Sequence, residues 1–140
     1  MIEVPGDKDM AKDLSAFVKS ADWKLEKHVP AITAPAEAKA GEWIDVEVAV
    51  GKEVPHPNTV EHHIVWISLH YVPEGSPISI ELARAEFGAH GQAAVANEGP
   101  AHTAPCARFR VQLAKSGSLH AMAYCNIHGL WTSAADIAVR

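Results

Sequence analysis

Near the end of the chain, Cys125-Asn126-Ile127-His128-Gly129-Leu130-Trp131 sets a thiol and an imidazole in a Cys-x-x-His arrangement. A soft sulfur and a borderline nitrogen at this spacing suit a transition metal. Asn126 and Gly129 let the backbone bend, so both side chains can face one ion. The pair alone is only moderately specific. It gains weight from two further segments, Glu26-Lys27-His28-Val29-Pro30 and His56-Pro57-Asn58-Thr59-Val60-Glu61-His62-His63. Together the three offer more donors than a structural zinc site uses, and that surplus points to chemistry at the metal.

The chain has nine histidines, and their placement matters more than their number. His28, His56 and His62 stand beside Pro, Asn and Thr in loop-like sequence, and His128 follows an Asn. Loops on a rigid scaffold are where sites are built. His63, His70, His90, His102 and His120 lack such company and read as surface or satisfied core residues. Of the two cysteines, Cys125 reads as a ligand and Cys106 as a small, buried strand residue. A disulfide between them would consume the thiolate of the metal motif.

If His28, His56, His62, His128 and Cys125 all bind one ion, they supply five donors. A metal that prefers six then keeps one open position. Iron fits this, and iron changes oxidation state. A thiolate donor raises electron density on the metal, which suits reduction of a small oxygen species. One point stays open in the pattern. His62 and His63 are adjacent and would face opposite sides of a strand, so either could be the ligand.

Several elements must position these groups. Met10, Leu14, Phe17 and Val18 recur at helical spacing and predict a short helix over Asp9 to Ser20 that docks on the core. After Pro30 the period becomes two. Ile44, Val46, Val48 and Val50 alternate with polar or small residues, as do Ile78, Ile80 and Leu82, and Phe109, Val111 and Leu113. His62 to Val72 is apolar on both faces, as a central strand would be. Leu119 to Tyr124 and Ala134 to Val139 add two short strands, and a weaker one covers Ile32 to Lys39. Turn signals separate them, and Gly88 to Pro105 reads as a long loop with conformational freedom. About seven short strands at this spacing predict an all-β, antiparallel sandwich. Its loops would gather at two ends, which permits the three motifs to meet.

With 140 residues the chain suffices for one domain with a real core. A net charge of −5 and the lack of a basic run argue against nucleic acid as a partner. No apolar stretch is long enough to span a membrane, and the N-terminus shows no signal-peptide core, so a cytoplasmic location is expected.

The three motifs, in their order and spacing, resemble the signature segments of the superoxide reductase family. The resemblance runs from about Asp22 to Val139. It is to the single-iron, neelaredoxin type, because two cysteines cannot furnish the extra four-cysteine iron domain of the desulfoferrodoxin type. It implies an immunoglobulin-like sandwich over residues 22–140, preceded by an N-terminal extension, residues 1–21. It implies a mononuclear non-haem iron with His28, His56, His62 and His128 as equatorial ligands and Cys125 as the axial one, which favours His62 over His63. Glu26 matches a carboxylate that can take the sixth position in the oxidised state, and Lys27 matches a lysine beside the open position. The implied reaction is reduction of superoxide to hydrogen peroxide, rather than dismutation as the main activity. Electrons would come from rubredoxin or a similar donor, in a dimer or tetramer of identical chains.

Elementary physics agrees with the Glu26 and Lys27 roles. In an extended segment Glu26 and His28 project to one side. A cation at the mouth raises the encounter rate of an anion despite the negative net charge. Trp66 and Trp131 read as core or site-wall residues. The nearest rival is a copper electron carrier of β-sandwich fold, which needs two histidines, a cysteine and a weak axial Met. No Met follows Cys125; Met122 precedes it. A second rival is a zinc-stabilised binding module.

Overall fold

In the computed structural model, which describes residues 11–140, the chain folds into two β-sheets packed face to face. Eight strands follow in order: β1 (Ala31–Thr33), β2 (Glu37–Ala38), β3 (Trp43–Ala49), β4 (Ile64–Pro73), β5 (Ile80–Glu86), β6 (Cys106–Gln112), β7 (Gly117–Cys125) and β8 (Gly129–Val139). One sheet has the order β1-β3-β6, the other β2-β8-β7-β4-β5. All pairings are antiparallel except the short β2–β8 pair. The all-β sandwich expected from the alternation, immunoglobulin-like as the family resemblance implies, is therefore present.

The alternating residues explain why the sheets close on each other. Val46 and Val48 of β3, Ile67 and Leu69 of β4, and Leu119, Ala121 and Ala123 of β7 are fully buried between the sheets. Their neighbours in β7, His120, Met122 and Tyr124, point to the outer face and are half-buried. Small residues at 121 and 123 let the sheets approach where Cys125 continues the inward row.

Three expectations need correction. The weak strand over Ile32 to Lys39 is two strands in different sheets. Pro35 lies between them; it offers no N–H to a ladder, and the chain crosses from one sheet to the other there. The helix expected over Asp9 to Ser20 is, among the described residues, only a 3-10 turn at Leu14–Phe17. Met10 lies outside the described residues. Leu14 and Phe17 are exposed, so this turn does not dock an apolar face on the core. What holds the segment is backbone pairing: the Lys19 N–H donates to the Leu130 carbonyl at 3.0 Å, and the Thr132 N–H donates to the Lys19 carbonyl at 2.8 Å. Finally, the 88–105 loop is tied down. The Thr103 N–H donates to the Ala89 carbonyl, the Gly91 N–H to the Ala101 carbonyl and the Gly99 N–H to the Gly91 carbonyl.

The sandwich places three ligand-bearing segments at one end. The Glu26–Pro30 turn leads into β1, the 56–63 loop leads into β4, and the Cys125–His128 turn joins β7 to β8. No helix among the described residues is long and apolar enough to cross a membrane.

Candidate metal centre

The Cys125–His128 turn is a hairpin loop. Cys125 pairs with Gly129 across it, and Asn126, Ile127 and His128 form the turn. Gly129 adopts φ 81°, a conformation that favours glycine and lets the chain re-enter the sheet after three residues. Cys125 ends the inward-facing row of β7 and is fully buried. The His128 N–H donates to Cys125 Sγ at 3.4 Å, so the turn itself supplies a hydrogen bond to the sulfur.

His28 is brought to the same place by the turn before β1. Glu26 Oε1 accepts from the His28 N–H at 2.9 Å and lies 2.6 Å from His28 Nδ1. This carboxylate fixes the ring with Nε2 pointing inward, the arrangement by which outer groups orient metal-binding histidines. Glu26 and His28 sit in a turn rather than the extended segment expected, and the carboxylate grips the side of the ring away from Nε2. Desolvation works against ionisation of Glu26, but hydrogen bonds from the His28 backbone and ring bring its pKa down.

His56 and His62 come from the 56–63 loop. His56 Nδ1 donates to the Pro57 carbonyl at 2.7 Å, which directs Nε2 inward. The His62 N–H donates to Thr59 Oγ1 at 3.1 Å, closing a small turn around that ligand. His62 and His63 both precede β4, so strand alternation does not separate them. Their partners do. His62 faces the cluster, whereas His63 Nδ1 turns to the Thr59 carbonyl and its ring stacks on His90. Gly51 permits this loop to pass close by: a Cβ there would stand 2.7 Å from the His56 backbone nitrogen.

The four rings form a closed cycle. Centroid separations are 4.9 Å for His28–His56, 4.6 Å for His56–His62, 4.9 Å for His62–His128 and 4.7 Å for His128–His28. The His28–His62 diagonal is longer, 6.1 Å. Donor atoms of His28, His56, His62 and Cys125 all lie within 4.8 Å of one another. His128 Nδ1 joins them, 3.1 Å from His28 Nε2, 3.2 Å from His62 Nε2 and 3.7 Å from Cys125 Sγ. Every histidine named with Cys125 in the sequence reading is thus present in one cluster.

The donor set fits a transition metal on two grounds. His56 Nε2 is buried and has no hydrogen-bond partner among the described residues, a costly state for a nitrogen lone pair. His128 Nδ1 faces two other ring nitrogens, and a neutral imidazole cannot donate to both. A cation between them removes both conflicts. Three of the rings are also pushed toward the form a metal needs. Burial holds His56 at about 4, with His28 and His62 adding to the effect, and burial likewise lowers His28 and His62. Neutral imidazole is the ligating form.

Lys27 lies at this cluster. Its charge contributes to lowering His28, His56 and His62, and among the described residues its ammonium has no ion-pair partner. Trp131 is a site wall: its indole stacks on His28, and its N–H donates to the His128 carbonyl at 3.2 Å. Trp66 lies away from it, beneath Arg84, whose guanidinium is 4.4 Å from the indole centroid. Cys106 corrects the reading of it as buried, for it is a free, exposed cysteine at the start of an edge strand.

The sequence reading missed Asn126 as a clamp, treating it only as a residue that bends. Its Oδ1 accepts from the His63 N–H at 2.9 Å and its Nδ2 donates to the Glu61 carbonyl at 2.9 Å. One amide therefore ties the Cys125–His128 turn to the His56–His62 loop. Asn residues inside both motifs were the available signal. The copper rival loses its axial ligand, since Met122 lies in the outward row of β7 while Cys125 lies in the inward one.

Comparison with known proteins agrees with this geometry. The desulfoferrodoxin family model matches residues 20–134. The superoxide reductase of Pyrococcus furiosus is 48% identical over 119 residues, covering 84% of this chain and 94% of that one. The crystal structure of a Thermotoga maritima protein provisionally named a superoxide reductase matches with a TM-score of 0.90 and 47% identity, over 93% of this chain and 99% of that one. The reduced superoxide reductase (neelaredoxin) of Archaeoglobus fulgidus matches with a TM-score of 0.80 and 48% identity, over 87% and 98% of the two chains. A sandwich of the same shape, nearly half its residues shared, and a family match across most of the chain lead to one assignment: this chain belongs to the desulfoferrodoxin family.

Proposed function

We propose that this chain is a superoxide reductase, converting superoxide to hydrogen peroxide with one electron and two protons. The observation that carries it is the convergence of four imidazoles and one thiol on a single point at the end of the sandwich. His28, His56, His62, His128 and Cys125 are the proposed ligands of a mononuclear iron. Iron held by them supplies a one-electron reductant made electron-rich by the sulfur.

The chain's own residues do the rest. Glu26 and the Pro57 carbonyl hold two of the rings by Nδ1, so that Nε2 of each faces the centre. The His128 N–H on Sγ and the fully buried position of Cys125 keep the sulfur from water. Lys27 holds positive charge near the mouth and attracts an anionic substrate. Glu26 is the carboxylate that would be available to an oxidised iron held there, and to serve it the side chain would have to release His28.

The same reading makes residues 22–140 the iron-binding domain and residues 1–21 an extension. It takes rubredoxin or a similar small carrier as the electron donor. The exposed Leu25 and Ile127, each next to a motif residue, offer such a donor an apolar rim. Assembly into a dimer or tetramer is supported by exposed Ile80 on edge strand β5 and Ile78 just before it. Free cysteines suit a reducing compartment, here the cytoplasm.

Metal analysis of native protein, followed by reaction of the reduced protein with pulse-generated superoxide, tests the proposal. One iron per chain and stoichiometric peroxide without matching oxygen release are expected. Stoichiometric zinc or copper, or oxygen release equal to peroxide, would overturn it.

A further inference from the structure

The 56–63 loop carries two proposed ligands without a strand or helix of its own. A single buried ring outside the site touches it near both ends. His90 is 4% exposed. Its Nε2 lies 2.9 Å from the Phe87 carbonyl and its Nδ1 lies 2.8 Å from Asn58 Oδ1. Both are acceptors, so each tautomer of the neutral ring donates to one of them. The face of the ring stacks on His63, with centroids 3.6 Å apart and planes 8° from parallel.

Each contact leads to a ligand. Asn58 Nδ2 donates to the Thr103 carbonyl at 3.0 Å, so the amide is held between His90 and the tied-down 88–105 loop. The peptide joining Pro57 to Asn58 bears the carbonyl that orients His56 through Nδ1. His63 adjoins His62, and its own Nδ1 lies 2.8 Å from the Thr59 carbonyl inside the loop.

We propose that His90 is a positioning residue for the metal centre: its buried ring grips Asn58 and His63, and through them fixes the orientation of His56 and His62. This rests on the ligand set proposed above. Loss of a group that orients a metal ligand weakens metal affinity by about 10–100-fold, and His90 acts one link further out, so about tenfold is expected.

The test uses the full chain in three variants, one double variant and one ligand variant as reference. His90→Phe keeps the stack and removes both ring nitrogens. His90→Gln keeps amide donors and removes the stack. Asn58→Ala removes the intermediate link. Each apo-protein is titrated with ferrous iron without oxygen against a competing chelator, and the sulfur-to-iron band is read after oxidation. His90→Phe is expected to weaken iron binding about tenfold and shift the band, with partial recovery in His90→Gln. His90→Phe combined with Asn58→Ala is expected to bind iron as Asn58→Ala alone does. Unchanged affinity and band in His90→Phe overturn the proposal, and so do fully multiplicative effects in the double variant. Should His90→Phe not fold, His90→Gln is read in its place: it lacks the stack on His63, so weaker iron binding is expected, and unchanged affinity and band in it overturn the proposal. His56→Ala is the reference: iron binding undiminished in that variant sinks the ligand set itself, whereas its loss there with none in the His90 variants sinks only the role of His90.

Discussion

Trp131 lies flat against His28, with ring centroids 4.8 Å apart and planes 13° from parallel. The same indole donates its N–H to the His128 carbonyl, and the Lys19 ammonium stands 5.5 Å from its centroid. One side chain thus braces two proposed ligands from opposite ends of the sequence, and the segment before the sandwich is paired to its backbone neighbours. Trp131→Ala should destabilise the apo-protein by about 3–5 kcal/mol, as for other large aromatics removed from a packed site. Trp131→Phe should retain part of that and bind iron more tightly than Trp131→Ala. Urea unfolding and iron titration of both variants provide the check; equal iron affinity in the two would show that the face of the ring does not matter.

Cys125→Ser should abolish the sulfur-to-iron charge-transfer band and most superoxide reduction, because an alcohol does not replace a thiolate's donation. Cys106→Ser should leave both intact, since that residue lies in the other sheet. Optical spectra of the oxidised variants separate the two cysteines, and like behaviour would refute the division between them.

Glu26→Ala should leave much of the first reaction with superoxide but admit azide or cyanide to the oxidised centre more readily. The structure adds a second effect. Without the carboxylate, His28 loses the partner that fixes its Nδ1, so iron affinity should fall as well. Glu26→Gln keeps an acceptor for His28 and should lose less iron while still binding anions more tightly than wild type. Anion titrations and chelator competition read the two effects apart. Unchanged anion affinity in both variants would remove Glu26 from the sixth position.

Lys27→Ala should slow the second-order reaction with superoxide, and Lys27→Arg should retain more of the rate. Added salt should slow the wild type by screening the attraction and should affect Lys27→Ala less. Pulse radiolysis at several ionic strengths measures this. Identical rates and salt slopes in wild type and Lys27→Ala would leave Lys27 as an ordinary surface residue.

Asn126→Ala removes two hydrogen bonds that join the two ligand-bearing segments. At about 1 kcal/mol each, the apo-protein should lose roughly 2 kcal/mol of stability. Asn126→Asp keeps the acceptor for the His63 N–H and should fall between. A denaturation series in which all three proteins coincide would mean that the clamp has no energetic weight.

Much of this was legible in the chain. Period-two alternation located β3 and β6, and the three motifs gave the residues that meet. What was not legible depended on partners distant in sequence. Lys19 is held by Leu130 and Thr132, so the N-terminal segment follows β8 instead of its own helical spacing. His63 and His62 are told apart by Thr59 and His90, not by strand alternation. The 88–105 stretch looked free because its composition is Gly- and Ala-rich. Its order comes from cross-links such as Asn97 Oδ1 accepting from the Val60 N–H, made by a residue at φ 70° that the pattern does not reveal.

The two thiols face the product of the reaction under different protection. The thiolate attacks the O–O bond of peroxide and expels hydroxide, so a cysteine that stays protonated is oxidised slowly. Cys106 is on the surface, but partial burial and the nearby Glu47 carboxylate push its pKa up. Cys125 has no exposed surface. A chain that makes an oxidant at one end of its sandwich therefore shields one sulfur by keeping it protonated and the other by depth. In continuous turnover, sulfenic acid should accumulate on neither.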